Sequence, residues 1–129
     1  MTMQVNGTSG LVFPDTSTQT TGKQVCKAWV NYNAVSSTIR SSFNVSSVVI
    51  NGTGDITTNF TTAMPDANYS WAISQQLNGT GNNDTGASST ARNLGTSAWG
   101  TTFIRTNTMS NTNTSQENPL VLTVVIFSS

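Results

Sequence analysis

The run Leu120-Val121-Leu122-Thr123-Val124-Val125-Ile126-Phe127 is apolar on both faces of any strand it forms. It is rich in β-branched side chains, which favour extended backbone. A strand of this kind must be central in its sheet or covered on both sides. The rest of the chain therefore has to supply flanking strands and a second layer.

It offers them. Gln24-Val25-Cys26-Lys27-Ala28-Trp29-Val30-Asn31-Tyr32-Asn33 holds β-branched and aromatic residues with no proline or glycine, the marks of a strand. At period two, Cys26, Ala28, Val30 and Tyr32 share a face able to line a core. Val25, Lys27, Trp29 and Asn31 share the other, which suits a surface divided between solvent and a neighbouring strand or subunit. Ala34 to Ser37 reads as a loop, after which Thr38 to Val45 continues extended. Val48-Val49-Ile50 and Ile56-Thr57-Thr58-Asn59-Phe60 flank Asn51-Gly52-Thr53-Gly54-Asp55, whose Asn and Gly positions accept positive φ, so a β-hairpin is expected there. A turn at Ala63-Met64-Pro65-Asp66-Ala67 precedes a strand over Asn68–Ser74, with Tyr69, Trp71 and Ile73 on one face and most simply in the core. Ala98 to Thr108 reads as one further strand, and Leu77–Ser97 and Met109–Asn118 as long polar loops. No stretch of useful length has helical period. The expected fold class is all-β, an antiparallel β-sandwich of jelly-roll-like form with about seven or eight strands. Residues 1–22 read as an extended N-terminal connector, with a short strand near Leu11 and a Pro14-Asp15 turn, and residues 23–129 as the sandwich.

Composition narrows the function. Five basic residues against five acidic leave a formal net charge of zero, so there is no electrostatic footprint for nucleic acid or an anionic membrane. Roughly two residues in five are Ser, Thr or Asn, so hydroxyls and amides rather than charges keep the surface wet. Little self-repulsion opposes association with further copies of the chain. One cysteine excludes an intrachain disulfide, and with no histidine a zinc or haem site is not expected, nor any other cofactor. The N-terminal residues lack a signal peptide's basic and apolar regions, and no segment has the length of a membrane-spanning helix. Nucleophilic triads are excluded by the missing histidine. Of the carboxylates Asp15, Asp55, Asp66, Asp84 and Glu117, the first three sit in turn motifs, where Asp has a conformational reason to be. A poised pair for glycoside cleavage is not evident, and no enzyme is expected.

Specific motifs add a family likeness. Ser9-Gly10-Leu11-Val12-Phe13-Pro14-Asp15-Thr16-Ser17-Thr18-Gln19-Thr20-Thr21 resembles the Gly-Ile-x-Phe-x-Asp-Gly-Thr-x-Gln-Thr-Thr junction of bacteriophage tail-fibre proteins, with Thr16 where glycine is common. Cys26 to Tyr32, Thr38 to Ser47, Asn51 to Asp55 and Asn59 to Ser70 are similar to a distal fibre domain found in phages of aquatic bacteria. The likeness covers roughly Gly10 to Ser74, a little over half the chain. It implies a virion protein made in the host bacterial cytoplasm. It also implies an intertwined or side-by-side homotrimer, joined to other tail or capsid proteins by its N-terminal segment. Its distal end would contact a bacterial surface glycan or outer-membrane protein.

On that reading the polar loops carry the contact. Asn78, Asn82, Asn83, Asp84 and Arg92 offer amides, a carboxylate and a guanidinium suited to sugar hydroxyls, and Trp99 just beyond them offers a stacking platform. Asn111 and Asn113 of the second loop are further receptor-binding candidates. Arg40 and Arg105 read as surface or intersubunit donors, and Cys26 as a buried, inert thiol. The alternative function is a capsid-decoration or head-fibre protein with no receptor.

Overall fold

The computed structural model describes residues 4–6, 10–12, 18–19, 25–77, 89–91, 98–110 and 115–128. Among them there is no helix, hence none long and apolar enough to cross a membrane. Near the N-terminus β1 (Gln4–Asn6), β2 (Gly10–Val12) and β3 (Thr18–Gln19) form an antiparallel sheet in that order, while Pro14 and Asp15 lie outside the described residues.

The remaining strands build an antiparallel sandwich, as expected. They are β4 (Val25–Asn33), β5 (Thr38–Phe43), β6 (Val45–Gly52), β7 (Asp55–Phe60), β8 (Ser70–Gln76), β9 (Ser89–Ala91), β10 (Trp99–Gly100), β11 (Phe103–Thr108) and β12 (Val121–Ser128). One sheet runs β5-β4-β12-β8. The other runs β6-β7-β11-β10, with β9 beside the far end of β11. β12 is central in its sheet, antiparallel to both β4 and β8, one of the two arrangements its composition allowed. Its inner residues Leu122, Val124 and Ile126 are buried against Ala28, Val30 and Tyr32 of β4 and against Ile56 and Ile104 of the opposite sheet. Burial of each large aliphatic side chain here contributes about 1.5–3 kcal/mol. The outer face of β12 is another matter: Val121, Thr123 and Val125 are half-buried and Phe127 is 40% exposed. Within the described residues, the expected cover is complete on one side only.

Two side chains organise the turns. Asn33 Oδ1 accepts the amides of Val35 and Ser36 at 3.0 and 3.1 Å and closes the β4–β5 connection, with Ser37 at φ 53°. Asn44 is the single residue between β5 and β6, and there the chain passes from one sheet to the other. Its φ of 54° is left-handed, a region Asn enters more readily than most residues. Its Nδ2 donates to the Lys27 and Thr62 carbonyls at 2.9 and 3.1 Å, and its Oδ1 accepts the Thr62 amide at 2.7 Å. Thr38 to Val45 is thus two strands with a corner, not one continuous segment.

The β6–β7 hairpin forms where expected, turning at Thr53–Gly54. Gly54 has φ +66°, and a Cβ there would lie 2.4 Å from the Thr108 carbonyl oxygen and 2.9 Å from the Glu117 nitrogen. That closeness arises because the end of β11 at Thr108 and residues 116–118 both lie against the hairpin turn. Gly54 N donates to Asn118 Oδ1 at 2.8 Å, and the Thr108 amide donates to the Gly54 carbonyl at 2.8 Å. The described residues on either side of 111–114 pair with each other, through a Met109–Gln116 bridge and the Ser110 amide on the Ser115 carbonyl at 2.7 Å.

Three further expectations are corrected. Ala98 to Thr108 is two strands, β10 and β11, joined by a tight turn at Thr101–Thr102 after Gly100. The strand expected over Asn68–Ser74 begins at Ser70 and runs to Gln76. Cys26 does not continue the inner face of β4, because the register with β12 slips between Ile126 and Phe127 and sets Cys26 opposite the exposed Phe127. The thiol is half-buried, its Sγ 3.5 Å from the Ala28 carbonyl oxygen, rather than sealed in the core.

Candidate functional site

Of the receptor-contact candidates, Trp99 is the one the structure describes. Asn78, Asn82, Asn83, Asp84, Arg92, Asn111 and Asn113 lie outside the described residues. Trp99 stands opposite Ile104 at the start of β10. A line of edge-on rings leads to it from the core. Phe60 and Tyr69 meet at 6.0 Å, Tyr69 and Trp71 at 6.0 Å, and Trp71 and Trp99 at 5.2 Å with planes tilted by 47°. Such offset arrangements are the favourable ones for aromatic quadrupoles. Tyr69 is buried and Trp71 and Ile73 pack partly against the core, in keeping with the core reading of that strand face.

Burial decreases along the line. Tyr69 is 4% exposed and its hydroxyl is within donating distance of the Gly100 and Phe103 carbonyl oxygens, at 3.1 and 3.0 Å between oxygens. Burial pushes its phenol up to about 12. Trp99 at the far end is 38% exposed, and its Nε1 donates to the Ala67 carbonyl at 3.2 Å. The segment that supplies this carbonyl is itself anchored: the Met64 amide donates to the Thr101 carbonyl at 2.7 Å, and Met64 is buried. Asp66 Oδ1 accepts the Asn68 amide at 2.6 Å, and both side chains are exposed on either side of Ala67. The result is a positioned indole, held by a carbonyl whose two sequence neighbours, Asp66 and Asn68, are exposed.

A second region lies on the outer face of the β5-β4-β12-β8 sheet. Strand pairing sets Phe43, Trp29, Val125 and Ala72 in one row across all four strands. Phe43 is 54% exposed, Trp29 and Val125 are half-buried, and Phe127 adds a further exposed ring. The next row, Ser41, Asn31, Thr123 and Ser74, is polar and uncharged. At one corner a groove of about 530 Å³ is lined by Cys26, Lys27, Phe43, Asn44, Thr61 and Thr62. β5 is exposed along its whole length, including Arg40.

The other sheet carries an ion pair that local reading could not find. Arg105 Nε donates to Asp55 Oδ1 at 2.6 Å and Arg105 Nη2 to Asp55 Oδ2. The side-chain hydrogen bond to Asp55 raises the guanidinium pKa above its ordinary value, against the opposing effect of burial. Asn51 Nδ2 approaches the same carboxylate at 3.4 Å and donates to Thr57 Oγ1 at 2.8 Å. Asp55 thus does more than shape its turn, and Arg105 is engaged within its own chain. These partners are far apart in sequence and meet only because β7 pairs with β11.

No family model matches the chain, and no curated protein or solved structure does either. Fold and site together define an antiparallel β-sandwich with an aromatic seam at one edge and a sheet face whose apolar row the other described residues leave uncovered.

Proposed function

We propose that this chain is the trimeric receptor-binding tip of a phage virion fibre. The observation that carries the reading is the row Phe43, Trp29, Val125 and Ala72, with Phe127 beside it, on a sheet face that the described chain leaves uncovered. A nearly charge-free chain with such a face gains by apposing it to copies of itself, since burial of apolar area is favourable and no repulsion resists it. The motifs between Gly10 and Ser74 that resemble a fibre junction and a distal fibre domain supply the virion context. Binding then rests on weak polar and stacking contacts, multiplied by three copies on one axis. In this reading the chain adsorbs and does not catalyse.

The test has two arms. Sedimentation of the purified chain at micromolar concentration is expected to give a trimer, and Val125→Lys, in the centre of the row, to give a monomer. The same protein, fluorescently labelled, is expected to coat susceptible bacteria and not resistant ones. A wild-type monomer removes the assembly, and equal coating of both strains removes the receptor role. Gold labelling of particles at the shell rather than the tail tip would instead favour a capsid-decoration protein.

A further inference from the structure

The exposed end of the aromatic line has features of a ligand platform that the packing of the sandwich does not require. The Trp99 indole N–H is already satisfied by Ala67, so the ring cannot act as a donor and offers only its π-face and C–H edge. Its orientation is held from two sides, by that hydrogen bond and by Trp71 at 5.2 Å. A ring so held has little freedom left to lose when a partner stacks on it. Asp66 and Asn68 flank the carbonyl that holds it. Asp66 Oδ1 is engaged by the Asn68 amide, and the exposed carboxylate retains acceptor capacity for hydroxyl donors. An exposed aromatic ring held by the residue between an exposed carboxylate and an exposed primary amide suits the two-sided chemistry of a pyranose, whose C–H face is apolar and whose rim is hydroxylated.

We infer that Trp99, with Asp66 and Asn68 on either side of the Ala67 that holds it, stacks one pyranose ring of a surface glycan. This rests on the receptor-binding reading and narrows its receptor to a saccharide. A protein partner fits less well: a stable protein contact covers about 800 Å² per side, and here the large exposed hydrophobic is a single ring, 38% exposed beside the half-buried Trp71. Ala63–Ala67, expected only to turn the chain, becomes with Asn68 one wall of the site.

The experiment is an array of immobilised hexopyranosides, N-acetylhexosaminides and bacterial surface polysaccharides, probed with the full chain and its variants. Wild type is expected to hold at least one pyranoside, and Trp99→Ala to lose roughly tenfold in apparent affinity, the scale of one aromatic contact. Val49→Ala, at an exposed apolar position on β6 away from both the platform and the Phe43 row, serves as the control for apolar loss elsewhere. Circular dichroism checks folding of each variant. If Trp99→Ala does not fold, Trp99→Phe and Asp66→Asn decide, each expected to weaken binding at least threefold. Undiminished binding by the folded variants, or no pyranoside held by wild type, overturns the inference. Wild type that coats susceptible cells but ignores every saccharide defeats the platform and leaves the receptor role standing. Failure to discriminate between susceptible and resistant cells defeats the role itself.

Discussion

Thr58 gives the sharpest check on the packing described above. It sits on the inner face of β7 between Val48 and Ile104, 1% exposed, and its Oγ1 has no hydrogen-bond partner among the described residues. A buried hydroxyl left without a partner costs about 1–3 kcal/mol. Valine has the same branched shape with a methyl in place of the hydroxyl, so Thr58→Val removes the cost without opening a cavity. The expected gain is about 1–2 kcal/mol in unfolding free energy, or roughly 3–8 °C in Tm for a domain of this size. Thr108, also buried, provides the opposite sign. Its Oγ1 donates to the Glu117 carbonyl at 2.6 Å. Thr108→Val loses that bond and is expected to destabilise by about 1–2 kcal/mol. Urea unfolding followed by tryptophan fluorescence measures both, at one protein concentration so that any association is held constant. A Thr58→Val variant less stable than wild type would refute the reasoning, as would both substitutions shifting the midpoint the same way.

Further outcomes follow from single residues. Asn44→Ala loses the side-chain bonds to Lys27 and Thr62 and places alanine at a left-handed φ, so a loss of about 2–4 kcal/mol is expected in the same assay. Asn44→Gly tolerates the backbone and should lose less. Gly54→Ala forces a Cβ against the Thr108 carbonyl at positive φ, for an expected cost of about 2–4 kcal/mol; a stability equal to wild type would mean Thr108 and residues 116–118 do not lie against the hairpin turn. The Tyr69 phenol ionises near 10 in the unfolded chain and is pushed up to about 12 in the fold. Its contribution is therefore intact below about pH 10 and is lost as pH rises towards 12. Thermal unfolding across that range should show a steeper loss for wild type than for Tyr69→Phe, and phenolate absorbance should lose its latest step in the variant.

Much of the architecture was legible because periodicity and turn chemistry are local. The two-sided run at Leu120–Phe127 required a strand either central or covered on both faces, and β12 is central. The Asn and Gly positions at 51–55 marked the hairpin. What was not legible depends on partners distant in the chain. The corner at Asn44 is invisible to a pattern of alternating residues, because one left-handed residue redirects a strand without changing its composition. The slip opposite Phe127 moved Cys26 off the inner face, and a register slip leaves no trace in the strand that suffers it. Trp99 was legible as an aromatic beside a polar loop, whereas Ala67, which holds it, carries no side-chain signal at all. The Asp55–Arg105 pair needed the β7–β11 pairing before either charge had a partner.

The place of β12 also bears on how the chain is made. Its two neighbours, β4 and β8, are not bonded to each other and meet only through it. During synthesis both emerge from the ribosome long before β12 does, β4 paired only with β5 on one edge and β8 with no partner in that sheet. That sheet therefore closes only after the ribosome has released Leu122, Val124 and Ile126, and until then the nascent chain presents open edges that a chaperone can occupy.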